Sequence, residues 1–280
     1  MPHPETSASA ASPEIFAPGE FTPEDLAALQ RAVRLLEHPG LAARLTNMVG
    51  KPIDLIGAAL PAAASKAIAA ATSRGLDLAL KVALRTMQRT PLAGSQLLHK
   101  ALAAASGAAG GAFGLATLPL ELPVSTIIML RSIADIARRE GEDLSDPEAA
   151  LSCVQVFALG GRAGSDDASE SGYFAVRAML AKTVTEAARY IAERGVVQEG
   201  APILVRFLTQ VAARFGVVVT QKVAAQALPV LGALGGAAVN YAFIEHFQDV
   251  ARGHFTVRRL ERIYGKDGVR AEYERLARPS

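Results

Sequence analysis

The chain has 280 residues, half of them apolar, with no Trp, one Cys and a formal net charge of +2. That length is ample to bury a core. The net charge is too small to argue for nucleic-acid binding, and the lone Cys153 excludes an internal disulfide and fits a reducing compartment.

Residues 1–20 (MPHPETSASAASPEIFAPGE) lack a basic region followed by an apolar one, so no secretory signal is expected there. Their Ala, Ser and Pro content predicts a disordered lead-in. One helical domain is predicted over 21–280. Thr22-Pro23-Glu24-Asp25 is a helix start: Thr22 caps, Pro23 suits the first helical position, and the acids favour the positive end. His38-Pro39 should stop that helix. A short helix is predicted over 41–49, a restart at Lys51-Pro52, and a long helix from Ala62 to about Gln88 with Gly75 as its weak point.

A second long helix is predicted over 92–117, with a short break between Pro119 and Pro123. Pro123 should open a helix that Gly141 ends. Asp146-Pro147-Glu148 repeats the cap–proline–acid signal and starts a helix through Leu159. A loop follows from Gly160, then helices over 169–194 and 202–226. Pro229 should open a further apolar helix, and segments from Phe255 and Asp267 finish the chain. Gly216 to Thr220 (GVVVT) is β-branched enough for a short strand, yet has no evident partner. The pattern is all-α: a single multi-helix domain with two central apolar Ala/Gly-rich helices.

Those two helices come from nearly charge-free stretches, Ala101–Leu120 and Val223–Ile244, each about as long as a membrane span. Gly107, Gly111, Gly110, Gly114, Gly232 and Gly236 form GxxxG pairs, which mean close helix contact in lipid or in a dense core. The lack of Trp belts, the weak lipid preference of Ala and Gly, and the charges of Arg131 and Asp135 favour burial within protein.

Several ordered motifs resemble the EcsC protein family. They are Leu130-Arg131-Ser132-Ile133-Ala134-Asp135-Ile136-Ala137 with Gly141-Glu142-Asp143-Leu144 and Asp146-Pro147-Glu148, and Val156-Phe157-Ala158-Leu159-Gly160-Gly161 with Asp166-Asp167 and Glu170-Ser171-Gly172-Tyr173. The late LPVLGALGGAAVN, with its downstream His-Phe and Ala-Arg, completes the pattern, so the resemblance covers about 21–277. It implies a bacterial helical protein, cytoplasmic or membrane-associated. It supplies no catalytic residues.

Seven residues form a candidate polar core: Glu121, Arg131, Asp135, Asn240, Glu245, His246 and Asp249. Arg131 and Asp135 are one turn apart within an apolar helix, which predicts a desolvated ion pair that fixes helix register. Glu121 is expected either to meet the positive end of its helix or to face Arg131 and the second apolar helix. Glu245 directly precedes His246, so the two side chains diverge by roughly 100°, and the Glu-x-x-His spacing of a di-iron bundle is missing. The sequence therefore names no metal, cofactor or catalytic residue. Cys153 is expected to be buried rather than reactive. The function expected is a non-enzymatic accessory or interaction protein at or near the cytoplasmic face of a membrane. It would engage a protein partner or an anionic lipid surface and no nucleic acid. The competing expectations are a metal-dependent hydrolase using Glu121, Asp135, His246 and Asp249, and a lipid-binding protein.

Overall fold

The computed structural model describes residues 21–37, 40–86, 118–161, 172–194, 201–227 and 232–278, and every regular element in them is an α-helix. In chain order these are α1 (Pro23–Glu37), α2 (Leu41–Val49), α3 (Ile53–Ala58), α4 (Ala62–Thr86), α5 (Leu118–Arg139), α6 (Pro147–Leu159), α7 (Gly172–Arg194), α8 (Pro202–Gln226), α9 (Gly232–Tyr264) and α10 (Lys266–Ala277). The lead-in over 1–20, the helix expected over 92–117 with its glycine pairs, and Pro229 lie outside the described residues.

The two cap signals work as the residue types require. Thr22 Oγ1 accepts from the Asp25 amide at 3.1 Å, and Asp146 Oδ1 accepts from the Glu148 amide at 3.0 Å, each with Pro next in sequence. Glycine ends three helices by entering the left-handed region: Gly50 (φ 70°) caps α2, Gly141 (φ 79°) follows α5 and Gly265 (φ 82°) separates α9 from α10.

Three expectations are corrected. Pro119 and Pro123 do not break the chain; both lie within α5. Pro119 falls in the first turn, where amides have no partner within the helix; Pro123 forfeits one helical hydrogen bond, and the burial of Leu118, Leu122 and Pro123 holds the turn together. The GVVVT run is not a strand but the middle of α8, because Phe215, Val218, Val219 and Lys222 recur at helical spacing and are buried. The segment from Phe255 is not separate, since α9 runs unbroken for 33 residues. The stretch Val223–Ile244 is shared between the end of α8 and the start of α9.

α6 is buried on all sides, with every residue from Ala149 to Ala158 in the core. A short helix with no polar face is stable only when surrounded, and here α4, α5, α7, α8 and α9 surround it. Phe157 of α6, Phe215 of α8, and Phe243 and Phe247 of α9 form one aromatic cluster with ring centroids 4.9–6.1 Å apart. α5 and α9 pack on each other, and α4 packs closely on α5. At Gly75 any Cβ would lie 3.0 Å from Thr126 Oγ1, so the glycine expected to weaken α4 instead lets α5 approach.

Candidate functional site

The polar chemistry of the described residues gathers along α9, whose length lets one helix meet several others. Gly141 turns the chain after α5 so that Glu142 points inward, only 9% exposed. Arg258 of α9 grips it with Nε and Nη2 at 2.9 and 3.0 Å, and Arg262 adds a further hydrogen bond. Burial would push the Glu142 carboxyl up; the hydrogen bonds and charges of Arg258 and Arg262 outweigh this and hold it below the usual carboxylate range. The next residue, Arg259, reaches Glu140 and Asp25 at 2.9 Å each, and Tyr264 donates to Asp25 at 2.8 Å. These contacts tie the start of α1 to the α5–α6 turn through α9.

On the next face of α9, Arg177 of α7 makes a two-point contact with Glu261 at 2.7 and 2.9 Å. Arg177 also donates to Tyr173 Oη at 3.2 Å, and Tyr173 shares a 2.9 Å hydrogen bond with His254 Nδ1. With Arg177 supplying that hydroxyl oxygen, the tyrosine proton can point at Nδ1. The imidazole proton then sits on Nε2, a buried atom with no hydrogen-bond partner. Burial, then the charges of Arg177 and Arg258, push His254 well below its ordinary value, so it is neutral at pH 7. Burial likewise pushes the Tyr173 hydroxyl and the Cys153 thiol up. A thiol so placed is protonated and is not an activated nucleophile.

The C-terminal end of α6 is the second feature. Its last carbonyls need donors. Arg214 of α8 supplies them to Ala158 O at 3.0 Å and to Gly161 O, while His246 Nε2 lies 2.9 Å from Gly160 O. The paired glycines are required by space. A Cβ on Gly160 would fall 2.6 Å from Phe247 Cε1, and one on Gly161 would collide with the Arg214 backbone.

The third feature is a buried ion pair absent from the sequence reading. Lys222 Nζ of α8 lies 2.6 Å from Glu121 Oε1 of α5, with side chains 0% and 5% exposed. The ammonium also lies 4.9 Å from the centroid of the Phe243 ring. Burial lowers the Lys222 pKa more than the Glu121 charge raises it. Lys222 was legible as the one charge on the inward stripe Phe207, Val211, Phe215, Val218 of α8.

The seven expected residues do not form one centre. Glu121 faces α8 rather than Arg131. Arg131 is exposed, and Asp135 pairs with Arg138 of its own helix at 3.2 Å, so the desolvated Arg131–Asp135 pair is not formed. Its place between α5 and α9 is taken by a neutral contact, Gln248 Nε2 to Ser132 Oγ at 2.6 Å. The cause is angular. Positions 132, 133, 136 and 137 face inward, which turns 131 to water and leaves 135 at the half-buried margin. Asp249 pairs with Arg44 of α2 at 2.9 Å and with Arg252 at 2.7 Å. Glu245 accepts from Tyr241 at 3.3 Å, His246 caps α6, and Asn240 is fully buried in α9. Among the described residues no group of three His, Cys, Asp or Glu side chains is placed to hold a metal ion.

The motif residues thus have structural work: Glu142, Asp146, Gly160, Gly161 and Tyr173 each anchor a helix end or a helix contact. No curated protein and no solved structure matches the chain. The model of the EcsC protein family matches residues 24–260, nearly the whole of the helical domain. The chain belongs to the EcsC protein family.

Proposed function

We propose that this protein is a non-enzymatic accessory or interaction protein working at or near the cytoplasmic face of a bacterial membrane. The observation that carries the reading is α8. It has the length and apolarity of a membrane span, yet only 33% of its most apolar 18-residue run is buried inside the fold. A core helix of a water-soluble domain would bury more of that surface. The rest of the helix is held in the domain by Arg214, Lys222 and Phe215, which suits a helix lying against a bilayer rather than crossing it. The ionic groups of the interior support the non-enzymatic part, because they are engaged with one another and with helix ends. The hydrolase alternative gains nothing from the geometry: Glu121, Asp135, His246 and Asp249 each have a different partner.

Fractionation of cells expressing the full chain tests this. The protein should sediment with membranes at low salt and be released by alkaline carbonate. Recovery wholly in the soluble fraction at low salt would refute a membrane role. Stoichiometric zinc, iron or manganese in the purified protein would restore the hydrolase reading.

A further inference from the structure

The membrane reading leaves open which surface makes contact, and the following inference rests on that reading. We propose that the outer stripe of α8, together with α3, docks the protein onto a bilayer containing anionic lipid. Val205, Thr209, Ala213 and Val217 recur at four-residue spacing and are all exposed, Val205 at 50% and Val217 at 40%. They span about 18 Å of helix at 1.5 Å per residue. α8 contains no acidic residue. Its other two cations are turned inward, Arg214 to the end of α6 and Lys222 to Glu121. The stripe therefore carries a single charge, the exposed Arg206.

α3 extends this face. It rests on the last turns of α8, where a Cβ on Gly57 would lie 3.2 Å from Thr220 Cγ2. Gln221 Nε2 donates to Asp54 Oδ1 at 3.0 Å, which occupies the acid of α3. The next residue, Leu55, is 70% exposed. Lys51 before α3 and Lys66 after it are both exposed and form no ion pair among the described residues.

An apolar stripe with one cation on it, Arg206, next to a short helix flanked in sequence by Lys51 and Lys66 and carrying one carboxylate, Asp54, matches the boundary of a bilayer. Small apolar side chains enter the acyl–headgroup border while Lys and Arg meet lipid phosphates. The stripe of Val, Thr and Ala lacks the Tyr and Trp anchors that centre protein–protein interfaces, and the Lys and Arg beside it suit lipid phosphates.

The test is co-sedimentation of the full chain with phosphatidylcholine vesicles containing about 30 mol% phosphatidylserine. The variants are Lys51→Gln/Lys66→Gln/Arg206→Gln, the charge-keeping Lys51→Arg/Lys66→Arg/Arg206→Lys, Leu55→Ser/Val217→Ser, and the tail control Arg275→Gln/Arg278→Gln. Each site is on the surface, and circular dichroism confirms the fold. At about fivefold per cation, the glutamine triple variant should lose roughly a hundredfold in partitioning. The charge-keeping and tail variants should bind as the parent does, and the serine pair should bind more weakly. Parent binding that the glutamine and serine variants leave unchanged would overturn this face and leave the membrane reading standing. Binding lost only in the tail variant would move the contact to the C-terminus and also overturn it. No binding by the parent would sink both this proposal and the reading beneath it.

Discussion

Lys222 and Glu121 show what one misplaced charge decides. Removing one partner leaves the other buried and uncompensated, so Glu121→Gln or Lys222→Met should destabilise by about 3–5 kcal/mol, while Glu121→Leu/Lys222→Met together should cost much less. Urea unfolding of the three variants checks this, and equal losses in all three would show that the pair is not coupled. Asp135→Ala, by contrast, removes a partly exposed pair within one helix and should cost under about 1 kcal/mol in the same assay. His254 gives a pH signature. Its folded pKa is depressed, so the unfolded chain binds the proton first. The stability it contributes is present above its ordinary value of 6.5 and is lost as pH falls below it. The urea midpoint should therefore decline between about pH 7 and pH 5.5 in the parent, and His254→Gln should flatten that decline.

Helix ends and helix contacts were unequally legible. The caps at Thr22 and Asp146 were readable because a cap is a local event: one side chain, one amide, three residues of sequence. The arginine cap on α6 was not, because Arg214 lies 56 residues from Ala158. Proline punctuation misled at Pro119 and Pro123, since buried neighbours hold α5 together across a missing amide. β-Branched propensity misled in α8, where packing of the Phe215–Val219 stripe overrides a preference worth tenths of a kcal/mol per residue. The Gly160-Gly161 pair invites a direct test. Gly160→Ala must displace Phe247 from the aromatic cluster and should lower stability by about 1–3 kcal/mol, read as a lower thermal midpoint. Gly161→Ala meets backbone, which cannot rotate away, and should be worse. Arg214→Met, which keeps the stem and removes the donors, should cost about 1–3 kcal/mol by leaving buried carbonyls unpaired.

At the scale of the whole molecule, α9 joins α1 and α10 to the middle of the fold. Two ion-pair clusters, Asp25–Arg259–Glu140 and Arg258–Glu142–Arg262, are joined where Arg262 donates to the Glu140 backbone carbonyl, and together they link α1, the α5–α6 turn and α9. Glu142 and Asp25 both have depressed folded pKa values, so their contribution is complete above the ordinary carboxyl range and is lost as pH falls below it. Acid unfolding should begin below about pH 4.5, and Glu142→Gln should remove part of that pH dependence. Because Arg262 remains partly solvated, Glu142→Gln should cost roughly 2–3 kcal/mol, less than a fully buried pair. Titration of the melting midpoint against pH for the two proteins measures both effects.

Sequence by itself determined the all-α class, the ends of α1, α2, α6 and α8 and the start of α10 to within a residue or two, and the family, since apolar period, capping residues and ordered motifs are all local. It also marked Cys153 for the interior. Beyond Lys222 on its apolar stripe, tertiary structure decided which charges are desolvated, and it alone decided which partners they take. A helix's sequence states which residues share a stripe, but the stripe's angle toward its neighbours follows from packing the other helices around it. A turn of one residue, about 100°, separates an exposed Arg131 from a buried Ser132.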